Sequence, residues 1–419
     1  MKKLLLPAIA FFSLCVTTGF AQQPVHCASE NYKQQKLAQD PSLQTAIDAE
    51  EQAATQFATD HPNGYQNRSV ITIPVVFHIV YSNATENIPT SRITAQMDVL
   101  NKDYRRANTD TNLIPGIWKS IAVDCEINFC LAQRTPLGTW SDGIERRQSS
   151  TTSWSMNDDM KYASTGGLNI WDKTKYLNIW ICKLSSNILG YSTFPPGNAS
   201  EDGVVLDYRY VGTTGATAPY NKGRTATHEI GHWLNMRHIW GDDGASCSGS
   251  DNVSDTPNQA DENYGAPSFP HTDGCSSSAP GVMFMNYMDY TDDASMYMFT
   301  AGQKTRMWAT LNGSRASLQT SNGCQAPLGI AQSMMQGTFS ISPSPTTGAF
   351  IINFGNASPE NFDLSIYNIL GEKIYFQHYD ALNEAELHLD LQGNPSGIYL
   401  VEVISANGRT TKRIVLDKP

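Results

Sequence analysis

The sequence predicts an α+β domain in which a mixed sheet supports one histidine-bearing helix, followed by a smaller all-β sandwich. Three observations lead there. Apolar runs of strand length, "ITIPVVFHIVY" (71–81) foremost, alternate with segments of helical period in the first two thirds of the chain. The stretch "HEIGHWLNMRH", from His228 to His238, holds three of the nine histidines in the chain. From Thr338 onward only short alternating strands remain, split by Pro, Gly and Asn.

In chain order, "MKKLLLPAIAFFSLCVTTGFAQQ" joins two lysines to an apolar run too short to span a bilayer, which is the pattern of a signal peptide over 1–21 cut after Ala21. Residues 22–68 are polar and of helical character, an extension rather than a domain. A buried strand opens the main domain at 71–81. A helix follows, with Ile93, Met97, Leu100 and Tyr104 on one face and Thr90 or Ser91 as its cap. "CEINFCLAQ" (125–133), "YLNIWICKL" (176–184), "ILGYSTF" (188–194) and "GVVLDYRYV" (203–211) read as strands, and the histidine helix comes next. Residues 241–324 are rich in Gly, Ser, Asp and Asn and read as loops that need staples or ions. The plan is therefore a main domain over 69–324, a linker over 325–337 and a sandwich over 338–419, where Asn407-Gly408 signals a hairpin.

Bulk properties exclude some functions. The formal charge is −11 and no basic patch stands out, which argues against a nucleic-acid partner. No stretch after the signal is long and apolar enough for a transmembrane segment. Export implies an oxidising compartment and disulfides. Of eight cysteines, Cys15 leaves with the signal, so an odd number remains and at least one thiol needs another role.

The chemistry lies in the histidines. Four residues apart on a helix, His228 and His232 present their rings to one point, and Glu229 can reach a water held there. Catalytic zinc takes three protein ligands and leaves one position open. His238 supplies the third only if the chain turns sharply after His232, and Asn235 accepts the left-handed conformation such a turn requires.

"HEIGHWLNMRH" resembles the metzincin zinc-protease signature H-E-x-x-H-x-x-G-x-x-H, with Asn235 at the Gly position, and "NYMDY" resembles the methionine turn of that group. Together with "GRTATHEIGHWLNMRHIWGDD", "SDNVSDTPNQ" and "FMNYMDYTDD", these make residues 69–324 similar to the pappalysin family. The resemblance implies a zincin-type (metzincin) catalytic domain and a secreted zinc endopeptidase acting on protein or peptide substrates. On it, His228, His232 and His238 hold Zn2+, Glu229 is the base, Met288 floors the metal and Tyr290 stabilises the oxyanion. Substrate lies extended beside strand 188–194, and Asp292 and Asp293 favour a basic residue after the cut. Asp251, Asp255, Thr256 and a carbonyl of Val253 or Ser254 hold structural Ca2+. A bridge joins Cys247 to Cys275, while a second family bridge is missing at Ala266 and Ser295; the pairing of Cys125, Cys130, Cys182 and Cys324 is left open by the sequence. Residues 22–68 become a pro-segment in which Cys27 fills the open zinc position until cleavage near Arg68-Ser69. "FSISPSPTTGAF", "LSIYNILGEKI" and "PSGIYLVEVISANGRTTKRIVL" resemble the C-terminal sorting domain of type IX secretion substrates, which implies contact with that machinery and a secreted or surface-attached product. The competing reading is a surface adhesin or binding protein with a non-catalytic metal site.

Overall fold

The structure, a computed structural model, describes residues 25–66, 69–327, 339–355, 362–380, 385–405 and 408–418. The expected signal, the Arg68 side of the expected cleavage point and most of the linker lie outside these residues.

The extension forms two helices, α1 (Ser29–Gln39) and α2 (Leu43–Asp60). Strand β1 (Ile71–Tyr81) then runs through the middle of the main sheet, buried along nearly its whole length. Helix α3 (Thr90–Asp103) follows, burying Ile93, Met97 and Leu100 as their spacing predicts. Its cap differs from expectation. Pro89, extended at φ −69°, holds the N-cap position without a side-chain cap, and the Thr90 hydroxyl instead accepts from Arg146. Strands β2 (Ile127–Leu131), β3 (Ile144–Gln148), β4 (Leu177–Cys182), β5 (Gly190–Ser192) and β6 (Val204–Asp207) complete the sheet. Its order is β2-β1-β4-β6-β5, with β3 beside the second half of β1, and only β5 runs antiparallel to its neighbour. The mixed sheet is as the sequence suggests. Strand β3 was not legible because "IERRQ" is half exposed, and Arg146 and Arg147 reach away to backbone carbonyls of Ile88 and Gly167.

Helix α4 (Arg224–Trp233) carries the histidine motif. Ile230, Trp233 and Leu234 share one core with Ile179, Ile181, Val204 and Leu206 of the sheet. A buried ion pair sets its start: Arg224 meets Asp103 of α3 at 2.9 Å, and Thr227 donates to the same carboxylate at 2.8 Å. The stretch read as all loop contains one real helix, α5 (Ala301–Asn312), which buries Met307, Trp308 and Leu311 and begins with a Thr300/Gln303 capping box.

Two bridges staple the irregular parts. Cys247–Cys275 forms as the resemblance implied, and Cys130–Cys324 ties β2 to the segment after α5. Cys27, Cys125 and Cys182 are buried and free. The backbone of Asp292 donates to Gly265 at 2.8 Å, so the segments that carry Ala266 and Ser295 are neighbours that lack a bridge.

The C-terminal strands are β7 (Ser340–Ser342), β8 (Ala349–Asn353), β9 (Phe362–Asn368), β10 (Lys373–Tyr379), β11 (Glu386–Asp390), β12 (Gly397–Ser405) and β13 (Gly408–Leu416). They make sheets of order β10-β9-β12-β13 and β11-β8-β7. Phe350 and Ile352 of one sheet share a core with Leu364, Ile366, Val401, Val403 and Ile414 of the other, which is a sandwich. Strands β12 and β13 pair up to Ser405 opposite Gly408. The two intervening positions fall one residue earlier than the Asn407-Gly408 signal, outside the described residues.

The Cys130–Cys324 bridge closes a loop with a sequence separation of 194. Chain-entropy reasoning assigns such a loop on the order of 5 kcal/mol. Replacing both cysteines by alanine should lower the equilibrium denaturation midpoint strongly; an unchanged midpoint would show that the tie does not stabilise the domain.

Candidate active site

The end of α4 is built by backbone hydrogen bonds. Asn235 donates its N–H to His232 O (2.8 Å) and Met236 donates to Gly231 O (2.9 Å), the paired closure of a Schellman motif. Asn235 sits at φ +67°, the left-handed conformation the motif demands of the residue after the helix. The chain therefore reverses and returns His238 to the face that carries His228 and His232.

The Nε2 atoms of His228 and His238 each lie 3.0 Å from that of His232. Each Nδ1 is already engaged: His228 with Tyr287 O (2.7 Å), His232 with Met236 O (2.8 Å) and His238 with Asp242 Oδ1 (2.7 Å). A ring that donates from Nδ1 to a carbonyl or carboxylate presents a lone pair at Nε2. Three such lone pairs at one point repel unless a cation lies between them. Burial, followed by the other histidines, pushes His228 and His232 well below the usual imidazole range, toward the neutral form a metal ligand needs. The donor set fits zinc.

The surrounding side chains fix these rings. Trp240 stacks on His238 at 4.4 Å. Met288 lies on a tight turn closed by Asp289 N–H to Asn286 O (3.1 Å), wholly buried against α4. Its sulfur is so close that a Cβ added to Gly231 would meet it at 2.5 Å. The Tyr290 hydroxyl is 3.0 Å from His238 Nε2. Glu229 is fully buried and burial lifts its carboxyl to about 8. It faces edge strand β5, where a Cβ on Gly190 would meet Glu229 Cγ at 3.0 Å.

The extension covers this centre. Cys27 Sγ and ligand nitrogens of His228, His232 and His238 all lie within 4.8 Å of one another. Ser29 donates to Glu229 Oε2 (2.7 Å) and accepts from the Ser192 N–H (2.9 Å). Backbone bonds run along β5 and the residues before it: Val25 N–H to Asn187 O, Leu189 N–H to Val25 O and Ala28 N–H to Gly190 O. His26 is buried among Tyr220, His228 and Tyr290. Sequence reading missed Ser29, His26 and Asp242. Only Asp242 carried a signal, a carboxylate four residues past the last histidine of the motif.

Other expected residues divide. Asp293 is buried and its Oδ2 accepts from the backbone of Lys222 (2.7 Å) and Arg224 (3.2 Å), anchoring the start of α4. Burial lifts its carboxyl to about 6. Asp292 is half-buried, and after burial itself it is the largest influence raising the Tyr220 phenol. Asp251, Thr256 and the Val253 carbonyl converge, with Thr256 Oγ1 2.9 Å from both Asp251 oxygens and from Val253 O. Burial lifts Asp251 to about 7, so a cation there would relieve a real cost. Asp255 lies close enough for its charge to raise the Asp251 carboxyl further. Its two oxygens accept from Thr300 (2.6 Å) and the Gly302 N–H (2.8 Å), holding the start of α5, while Ser254 is exposed.

Both parts of the chain are similar to known proteins. Residues 164–312 match the family described as "Pregnancy-associated plasma protein-A", and residues 340–417 match the "Secretion system C-terminal sorting domain". An extracellular metalloprotease of Arthroderma benhamiae is 32% identical over 250 residues, covering 59% of this chain and 79% of that protein. Mature mirolysin of Tannerella forsythia, solved with a cleaved peptide, is 50% identical with a TM-score of 0.59, over 60% of this chain and 97% of that one. A promirolysin mutant from the same organism is 45% identical with a TM-score of 0.65, over 70% of this chain and 97% of that one.

Asn235 offers a local test. Asn235→Gly keeps the left-handed turn, whereas Asn235→Val places a β-branched residue at φ +67° at a cost of roughly 1–2 kcal/mol or more. The valine variant should lose bound zinc and melt earlier while the glycine variant keeps both, read by elemental analysis and thermal denaturation.

Proposed function

Because the chain belongs to the pappalysin family of extracellular metalloproteases, we propose that it is made as a latent precursor and, once its extension is released, cuts extended polypeptides. The convergence of three imidazole lone pairs and one buried carboxylate under a removable thiol carries this reading. On it, residues 22–68 are a pro-segment, 69–324 the catalytic domain, 325–337 a linker and 338–419 the sorting domain. The sorting domain makes the enzyme a secreted or cell-surface product of type IX export.

His228, His232 and His238 would hold zinc, which when bound lowers the pKa of a water and polarises the scissile carbonyl. Glu229 takes the proton of the attacking water and returns it to the leaving amine. A carboxyl lifted by burial suits both halves of that exchange. The Tyr290 hydroxyl, beside His238, donates to the oxygen that gains charge. Met288 keeps the floor dry and α4 in place. The edge of β5 offers backbone groups for a peptide strand. Asp292 and Asp293 lie near Tyr220, and a basic side chain after the scissile bond would meet their charge there. Cys27 would fill the fourth ligand position in the precursor, while Ser29 holds the base by its hydrogen bond to Glu229. A closed structural site needs four permanent ligands; here the fourth sits on the segment to be released, which disfavours a mere adhesin.

Asp251, Thr256 and the Val253 carbonyl would hold calcium. Asp251 has a folded value of about 7 against an ordinary 3.8, so its ionisation costs stability as pH rises between those values. A bound cation offsets that cost only once the carboxyl is charged.

Glu229→Ala should retain zinc and lose nearly all peptide hydrolysis, a drop of at least a thousandfold in kcat; undiminished turnover would remove the assignment. Cys27→Ala in the full-length precursor should abolish latency, seen as peptide cleavage before any processing. Selective calcium chelation, with zinc retained, should lower the melting temperature clearly at pH 8 and little at pH 5. Equal shifts at both values would count against the Asp251 site.

A further inference from the structure

Beyond Ser192 lies a second polar cluster that the mechanism does not use. Asp158 and Lys161 are buried together, with Lys161 Nζ 2.8 Å from Asp158 Oδ1. Glu201 lies beside them, its Oε1 accepting from the Tyr162 hydroxyl at 3.0 Å and its backbone carbonyl from Lys161 Nζ at 2.6 Å. All four belong to the main domain. One cation from the extension completes the cluster: Lys36 Nζ lies 2.6 Å from Asp158 Oδ2 and 2.8 Å from Glu201 Oε2. Tyr32, also of the extension, donates to Asp158 Oδ2 at 2.8 Å.

Removing the extension takes away both donors and leaves two carboxylates against a single ammonium. The pair then carries one negative charge more than Lys161 balances, so the vacated position favours another ammonium or guanidinium. The site also has an apolar flank for the stem of a long side chain, since Phe194 lies on the same wall and holds Lys33 of the extension at 5.1 Å over its ring.

Its place relative to the metal follows from α1. From Ser29, which binds Glu229, to Lys36 the helix rises about 10 Å, a span that an extended peptide covers in roughly three residues. The extension passes His26 beside Tyr220, then Cys27 at the histidines, then α1. Asp292 and Asp293 therefore lie on the Tyr220 side of the metal and the Asp158/Glu201 pair on the other. A substrate whose residue after the cut points to Asp292 and Asp293 runs its preceding residues toward the pair.

We propose that in the released enzyme Asp158 and Glu201 form a subsite for a lysine or arginine side chain of the substrate, about three residues before the scissile bond, which Lys36 fills in the precursor. This rests on the protease reading above and adds a second point of selection to it. The test uses the full chain after release of its extension, with zinc bound. Peptides carry arginine after the cut and either lysine or its uncharged isostere norleucine at each of the positions before it. The unaltered enzyme should prefer lysine at least tenfold in kcat/KM at one position near the third, and Glu201→Gln should bring that ratio close to one. Cleavage with no lysine preference before the cut overturns the subsite alone and requires no variant. So does a preference that survives Glu201→Gln. Absence of any cleavage overturns the protease reading and the subsite with it.

Discussion

Three imidazole lone pairs aimed at one point are the constraint on which the rest of the molecule depends. They are held there by acceptors on the far side of each ring, two backbone carbonyls and the Asp242 carboxylate. Such an arrangement is unfavourable alone and favourable around a divalent cation, so folding energy spent elsewhere is converted into metal affinity. The features nearby serve that aim. Asn235 closes the helix so that His238 can return, Met288 packs under Gly231, and the Arg224–Asp103 pair fixes where α4 starts.

Much of this was legible in the sequence, for identifiable reasons. Helical spacing alone put His228 and His232 on one face, and the tolerance of asparagine for a positive φ located the turn. Long apolar runs gave β1 and β4. Failures occurred where local signals were weak. Strand β3 is polar because it is half exposed. Helix α5 announced itself only by Thr300 and Gln303, inside a stretch whose composition suggested loop. Asp255 has a second task that its acidic loop did not announce, accepting at the start of α5 from Thr300 and Gly302. No property of Ser29 in the sequence could reveal a partner 200 positions away.

The extension contacts the main domain through groups of unlike chemistry. A thiol faces the histidines, a hydroxyl faces the base, and an ammonium faces a carboxylate pair. At its other end Glu51 of α2 pairs with Arg306 and Arg237 beside the loop of Asp251. Each contact is modest when solvated, but together they span the cleft and the stabilising loop, so one segment holds several functional parts at once.

The backbone bonds that Val25 and Ala28 make along the edge beside β5 give this arrangement a directional character. An edge strand can pair with one visitor at a time, so the segment and any incoming chain exclude each other. While covalently joined, the segment competes at an effective concentration on the order of millimolar. A single cut in the connection before β1 would turn it into a dilute solute, and the exchange would then run in one direction.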